Sequence, residues 1–295
     1  MSRPERGAPA SRGTKPSASE LRGTKPSAPA TSLTKQRAVK RWPRLVAVGV
    51  RTHVTYMSRS PLEITFAVLV PLVYATLAVY LFRAAGDPDR LLTASVGAGL
   101  MGIWSSVLFG SGGAVQNQRW LGTLECLVVA PTRLPLVLLP ITLATSVVGT
   151  YSMVATVAWG WLLFGVPLHF AHPVLFLLAV PGCVLALGAM GLLLAATFVL
   201  MRNANALANA LDAPVWLLSG MLVPVTVLPA WTHPLSWALP TTWGARAVHA
   251  AASGGPVAAP LGLALGLGAL YALLAVAVLG RVEARARAAA TLALT

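Results

Sequence analysis

The sequence predicts an all-α integral membrane protein with six transmembrane helices. Three observations carry this. First, six apolar runs occupy 64–82, 91–115, 134–164, 173–200, 206–228 and 256–280; five hold no Asp, Glu, Lys or Arg, and the fifth in order holds a single charge, Asp212. A hydrocarbon core roughly 30 Å thick is crossed by about 20 apolar residues in a helix, and a helix satisfies its own backbone polar groups in lipid. Second, 56% of the 295 residues are hydrophobic and 10% are charged, where a soluble chain is about one-quarter charged. Third, the basic residues are segregated. Of 22 Lys and Arg, 13 precede residue 62, and Arg119, Arg133, Arg202, Arg281, Arg285 and Arg287 join them on one side of the predicted membrane. Only Arg83, Arg90 and Arg246 fall on the other, a split of 19 to 3.

Lys and Arg accumulate on the cytoplasmic side of membrane proteins. Both termini are therefore predicted to be cytoplasmic, as an even number of spans requires, in a multi-pass protein of the cell (plasma) membrane. A net charge of +14 in a soluble chain would suggest nucleic acid; its segregation assigns it to topology instead. Cys126 falls in a predicted cytoplasmic loop and Cys183 in a span, so a disulfide between them is not expected. The first 40 residues are polar with no apolar signal core, so the first span is expected to act as the targeting signal.

The organisation reads in order along the chain. Residues 1–36 are rich in Pro, Ser, Thr, Ala and Arg, and the string Arg12 to Ala18 recurs as Arg22 to Ala28. Such a segment cannot bury a core and is predicted to be a disordered basic tail, leaving 37–295 as the transmembrane domain. Over 44–59, Leu45, Val46, Val50, Tyr56 and Met57 share one helical arc, and Arg44, Arg51, Thr55, Ser58 and Arg59 the opposite one. That pattern predicts an interfacial elbow helix with a basic face, separated from the first span by Pro61.

The loop 116–131 carries the next helical pattern. Trp120, Leu121, Leu124, Leu127 and Val128 share an arc of about 120°; Arg119, Gly122, Thr123 and Cys126 lie outside it, Glu125 at its margin, and Pro131 ends it. This predicts a short amphipathic helix against the inner membrane face. Residues 229–255 hold three Trp and repeated Pro, which predicts short interfacial or re-entrant pieces on the outer side. Gly110-Ser111-Gly112-Gly113 reads as close helix packing.

The chemistry-bearing motifs are mostly absent. No Gly-x-x-x-x-Gly-Lys-Ser/Thr occurs, and all four lysines lie in the first 40 residues, so no P-loop is present. No metal cluster or paired intramembrane carboxylates are seen, and neither cofactor, metal nor catalytic residue is expected.

Two motifs carry a resemblance. Arg119-Trp120-Leu121-Gly122-Thr123-Leu124-Glu125-Cys126-Leu127, followed by Ala130-Pro131, resembles the Gly-Thr-Leu-Glu signature of ABC-2-type transporter permeases. Ser219-Gly220 with Pro224, Pro229 and Trp231, then Pro240 and Arg246, resembles the family's second signature. The layout is similar to that of the drug and nodulation-factor exporter group, including daunorubicin-type permeases. The resemblance implies a transmembrane subunit that pairs with a second permease copy, in a homodimer or a heterodimer, and with a separate ABC ATPase chain. It implies a coupling helix at 116–131, with Arg119, Gly122, Thr123 and Glu125 toward the ATPase and Trp120, Leu124 and Leu127 packed on the membrane side. The cargo expected is a hydrophobic drug, a natural product or a lipid-linked glycan.

Asp212 stands apart. A carboxylate deep in a span costs about 2.5–3.5 kcal/mol on insertion scales. Asn205, Asn209 and Asp212, spaced four and three apart, fall on one helix side and form a candidate polar strip, either lining a pathway or locking helices; Asn205, Asn209 and Arg202 are candidate partners. Two rival functions are open at this point. A proton-coupled secondary carrier would show repeated broken-helix halves with intramembrane ionisable groups, and a non-transporting scaffold or immunity protein would not need the amphipathic loop.

Overall fold

The computed structural model describes residues 31–84, 86, 90–120, 134–201 and 204–292. Residues 1–30, which carry the repeat, and the segment 121–133 lie outside the described residues. The chain divides into two units at Pro43/Arg44. In the first, residues 31–43 are helical. The second holds everything below.

Nine α-helices are described: α1 (Thr31–Arg59), α2 (Pro61–Ala84), α3 (Leu91–Trp120), α4 (Leu134–Phe164), α5 (Pro173–Leu200), α6 (Ala204–Leu218), α7 (His233–Ala238), α8 (Pro240–Ser253) and α9 (Ala258–Leu292). Two 3₁₀ turns, Val225–Val227 and Ala230–Thr232, lie between α6 and α7. No strand occurs among the described residues. Among the described residues, five helices are long and apolar enough to cross a membrane: Ala67–Ala84, Leu91–Gly113, Leu134–Phe164, Pro173–Leu200 and Ala258–Arg285.

The fifth predicted run, 206–228, is not one helix. The 15 residues of α6 make about 22 Å at 1.5 Å per residue, short of a roughly 30 Å core. The stop is a Schellman turn. Gly220 takes φ 70°, its amide bonds to Leu217 O, and the Met221 amide bonds back to Trp216 O. Only glycine adopts that left-handed conformation without cost. The apolar residues after Gly220 hid this stop from a hydropathy reading. Two other boundaries also move. α3 continues through Gln116 to Trp120 rather than ending at residue 115, and α9 runs past residue 280 to Leu292.

α3 is the centre of the bundle, packed against α2, α4, α5, α6 and α8. Leu100, Met101, Ile103, Trp104, Val107 and Leu108 are buried within it. Glycines and hydroxyl residues form the α3–α4 seam. Gly99 lies against Met153 and Thr156, Gly102 against Ser152 and Pro71, Gly149 against Ile103, and Gly110 against Thr145. A side chain at any of these would hold the backbones apart, so small residues set the helix separation. The outward surface is also apolar: Leu77, Leu162, Leu177 and Leu273 are each more than 60% exposed, a surface suited to lipid rather than water.

The contacts fix the helix directions. α3 and α4 are antiparallel, since Ser95 meets Gly160 while Gly110 meets Thr145. α2 runs with α4 (Thr76 with Trp159, Tyr80 with Phe164), and α9 runs with α5 (Leu261 with Gly182, Gly268 with Ala186). α6 is antiparallel to α3, with Asp212 at Ser105 and Met221 at Gly97. The start of α2 and the last turns of α9 therefore lie at one end of the bundle.

Candidate functional site

The backbone between α6 and α8 leaves and re-enters from one side. The amides of Ala171 and His172 bond to Ala252 O and Ala251 O, which sets the end of α8 beside the start of α5. The Ala238 carbonyl, just before α8, accepts from the Tyr271 hydroxyl at 3.2 Å. Tyr271 lies about 20 Å along α9 from its first residue. The segment between Met221 and Ala238 thus descends into the bundle and α8 climbs back out, a re-entrant hairpin.

A broken helix in an apolar setting leaves carbonyls without partners, and side chains supply them here. Trp243 Nε1 donates to Trp237 O at 2.9 Å, and Tyr271 donates to the next carbonyl. His249 Nε2 donates to Met221 O at 2.9 Å, which assigns the ring proton to Nε2. The hydroxyls of Ser219 and Thr241, both fully buried, bond to each other at 2.5 Å. They tie the end of α6 to the first turn of α8.

Of the second-signature residues, Ser219 makes this bond and Gly220 makes the Schellman turn. Pro224 and Pro229 each precede a 3₁₀ turn with ψ near 140°, the extended backbone that proline favours. The stretch from α6 to α8 is a stop, two rigid turns and a restart.

Below this junction, α6 is bonded to α3 twice at one residue. Ser105 Oγ donates to Asp212 Oδ1 at 2.9 Å, and Trp104 Nε1 donates to Asp212 O at 3.2 Å. The carboxylate's hydrogen bond therefore runs across the bundle to α3 rather than along α6. Asn209 instead bonds back to Asn205 O at 2.9 Å, and both asparagines are exposed. The three residues share a helix but are not joined in one network. Arg202 lies outside the described residues.

Arg119 and Trp120 are in the last turn of α3. Gly122, Thr123, Leu124, Glu125 and Leu127 lie outside the described residues. The far boundary of that segment is Leu134, whose amide bonds to Glu283 Oε2 at 3.4 Å. Sequence reasoning missed Ser105, Thr241, His249 and Glu283. Signals existed for two of them: Trp104-Ser105-Ser106 interrupts an apolar run, and Glu283 is an acid among Arg281, Arg285 and Arg287.

Long apolar helices around a buried central one, apolar also on the outside, define a multi-pass helical protein of the cell membrane. A family model described as ABC-2 type transporter matches residues 44–252. The chain belongs to that family, and is a transmembrane permease of an ABC-type transporter, a transport subunit that is not itself catalytic. Families of this kind work with an ABC ATPase subunit. A comparison with curated proteins finds no match.

Proposed function

We propose that this chain is the permease subunit of an exporter that moves a hydrophobic drug, natural product or lipid-linked glycan, driven by ATP hydrolysed in a separate ATPase chain. The observation that carries the reading is the family match across 44–252, which takes in the elbow segment, both signature motifs and the re-entrant hairpin. Two permease copies enclose the pathway. α6 with the hairpin completes a sixth crossing, supported by its direction antiparallel to α3 and by the return of α9 to the end where α2 begins. The 19-to-3 distribution of Lys and Arg makes that end cytoplasmic. The segment 116–131 is the coupling helix, with Arg119, Gly122, Thr123 and Glu125 toward the ATPase and Trp120, Leu124 and Leu127 toward the membrane.

The test is reconstitution in vesicles with a candidate ABC ATPase subunit, using a panel of hydrophobic drugs and lipid-linked sugars. Transport is expected only with ATPase, ATP and permease together. Glu125→Lys is expected to abolish it without loss of protein. Proton-driven transport by the purified chain alone would make the secondary carrier the better account, and external labelling of Gln118→Cys in intact cells would reverse the topology.

A further inference from the structure

Residues 44–59 of α1 have two faces. Val46, Gly49, Val50, His53, Val54 and Met57 are partly covered. Gly49 lies so near the Pro140 ring that a methyl group there would overlap it, and Ser58 Oγ bonds to the Tyr151 hydroxyl at 3.0 Å. This face meets α4. The apolar arc read from the sequence holds Leu45 and Tyr56, and the polar arc holds Ser58. Ser58 packs toward Tyr151, while Tyr56 and Leu45 stay exposed on an outward apolar surface that an interfacial helix can turn to lipid.

On the opposite face, Val48, Arg51, Thr52, Thr55, Tyr56 and Arg59 line a groove of about 610 Å³. Arg51 and Arg59 are exposed, two helical turns and about 12 Å apart, and neither is in an ion pair among the described residues. Thr55 returns its hydroxyl to Arg51 O at 2.8 Å, and Thr52 lines the same groove. Val48 and Tyr56, 56% and 67% exposed, add apolar surface along the same wall. The groove sits immediately before Pro61, where α2, the helix of the first span, begins.

We propose that this groove binds the headgroup of an anionic phospholipid from the cytoplasmic leaflet. Guanidinium groups recognise phosphate through paired N–H donors. The apolar wall beside them suits the glycerol and upper acyl region, which a free anion does not have. Basic residues beside a span attract anionic lipid at about 1 kcal/mol each, roughly fivefold in affinity. The leaflet assignment rests on the topology proposed above; the headgroup chemistry does not.

The experiment uses the full chain, delipidated in neutral detergent and read by native mass spectrometry with added phosphatidylglycerol or phosphatidylcholine. The wild type is expected to retain phosphatidylglycerol preferentially. Arg51→Gln and Arg59→Gln should each lower that retention about fivefold, and the pair should abolish the preference. Arg281→Gln, which removes an exposed charge from α9 outside the groove, should leave it unchanged. A double variant that keeps the preference overturns the site, as does an equal loss in Arg281→Gln. Full displacement of the lipid by millimolar inorganic phosphate overturns the lipid as occupant. External labelling of Leu45→Cys in intact cells, in a cysteine-free background, overturns only the leaflet.

Discussion

Glu283, near the end of α9, accepts the backbone amide of Leu134, the first residue of α4, at 3.4 Å. The carboxylate is buried at 8% exposure. It meets two needs of a helix start, an orphan amide and the positive end of the helix dipole. It also joins the last long helix to the end of the segment that links α3 to α4. Glu283→Ala is expected to lower the melting midpoint of the detergent-solubilised protein, by about 1–2 kcal/mol of lost interaction. Glu283→Gln keeps an acceptor without the charge and should fall between. Equal midpoints for all three proteins would show that the contact carries no stability.

Asp212 presents the same question inside the bundle. Its carboxylate accepts from Ser105, and an asparagine oxygen accepts equally well. Asp212→Asn should therefore accumulate in membranes at the wild-type level and transport at a comparable rate. Asp212→Leu leaves the half-buried Ser105 hydroxyl without this acceptor and should reduce accumulation. Normal accumulation of Asp212→Asn with lost transport would show that the charge itself acts on the pathway.

Gly97 tests the junction from the α3 side. A methyl group at this position would run into the Met221 carbonyl, which also accepts from His249. Gly97→Ala should displace the Schellman turn and destabilise the protein by about 1–3 kcal/mol. Gly266→Ala, on α9 with nothing within 4 Å of the added methyl, should be neutral or slightly stabilising, because alanine is the better helix former. Thermal midpoints of the two variants decide it.

His53 makes the docking of α1 sensitive to pH. Burial holds its imidazole below the ordinary value of 6.5. The docked helix keeps the ring neutral, while an undocked one takes up a proton more readily. Docking is thus undiminished above pH 6.5 and weakens as pH falls below it. Hydrogen exchange over 44–59, corrected for its intrinsic pH dependence, should show lost protection at pH 5.5 relative to 7.5. His53→Gln should remove the difference.

Hydropathy alone made most of this architecture legible. The runs at 134–164 and 173–200 match α4 and α5 end to end, because a long apolar run without charge has one solution in lipid. It failed at 206–228, because the residues after Gly220 are as apolar as those before it, and the stop is written in backbone conformation rather than polarity. The packed face of α1 was not legible from hydropathy either. A helical wheel separates apolar from polar side chains, but the contacts of Gly49 and Ser58 decide which side packs. The polar break at Ser105 points to a role but not to its partner, and Thr241 and His249 were hidden for a related reason. Each is significant through a partner far away in sequence, Asp212, Ser219 and Met221, and no local period announces a cross-bundle bond.

The shortness of α6 has a consequence for how the chain is made. At 15 residues with Asp212 within it, α6 is a poor substrate for insertion as an isolated segment. Ser105, its partner on α3, is synthesised earlier and is already in place. Thr241, His249 and Tyr271, which satisfy the junction above it, emerge from the ribosome only afterward. On the six-crossing topology proposed above, the fifth crossing is thus completed late, when α8 and α9 arrive to close the hairpin. A chain arrested after Leu228 would lack Thr241, His249 and Tyr271, and the turn that ends α6 would be left unsealed.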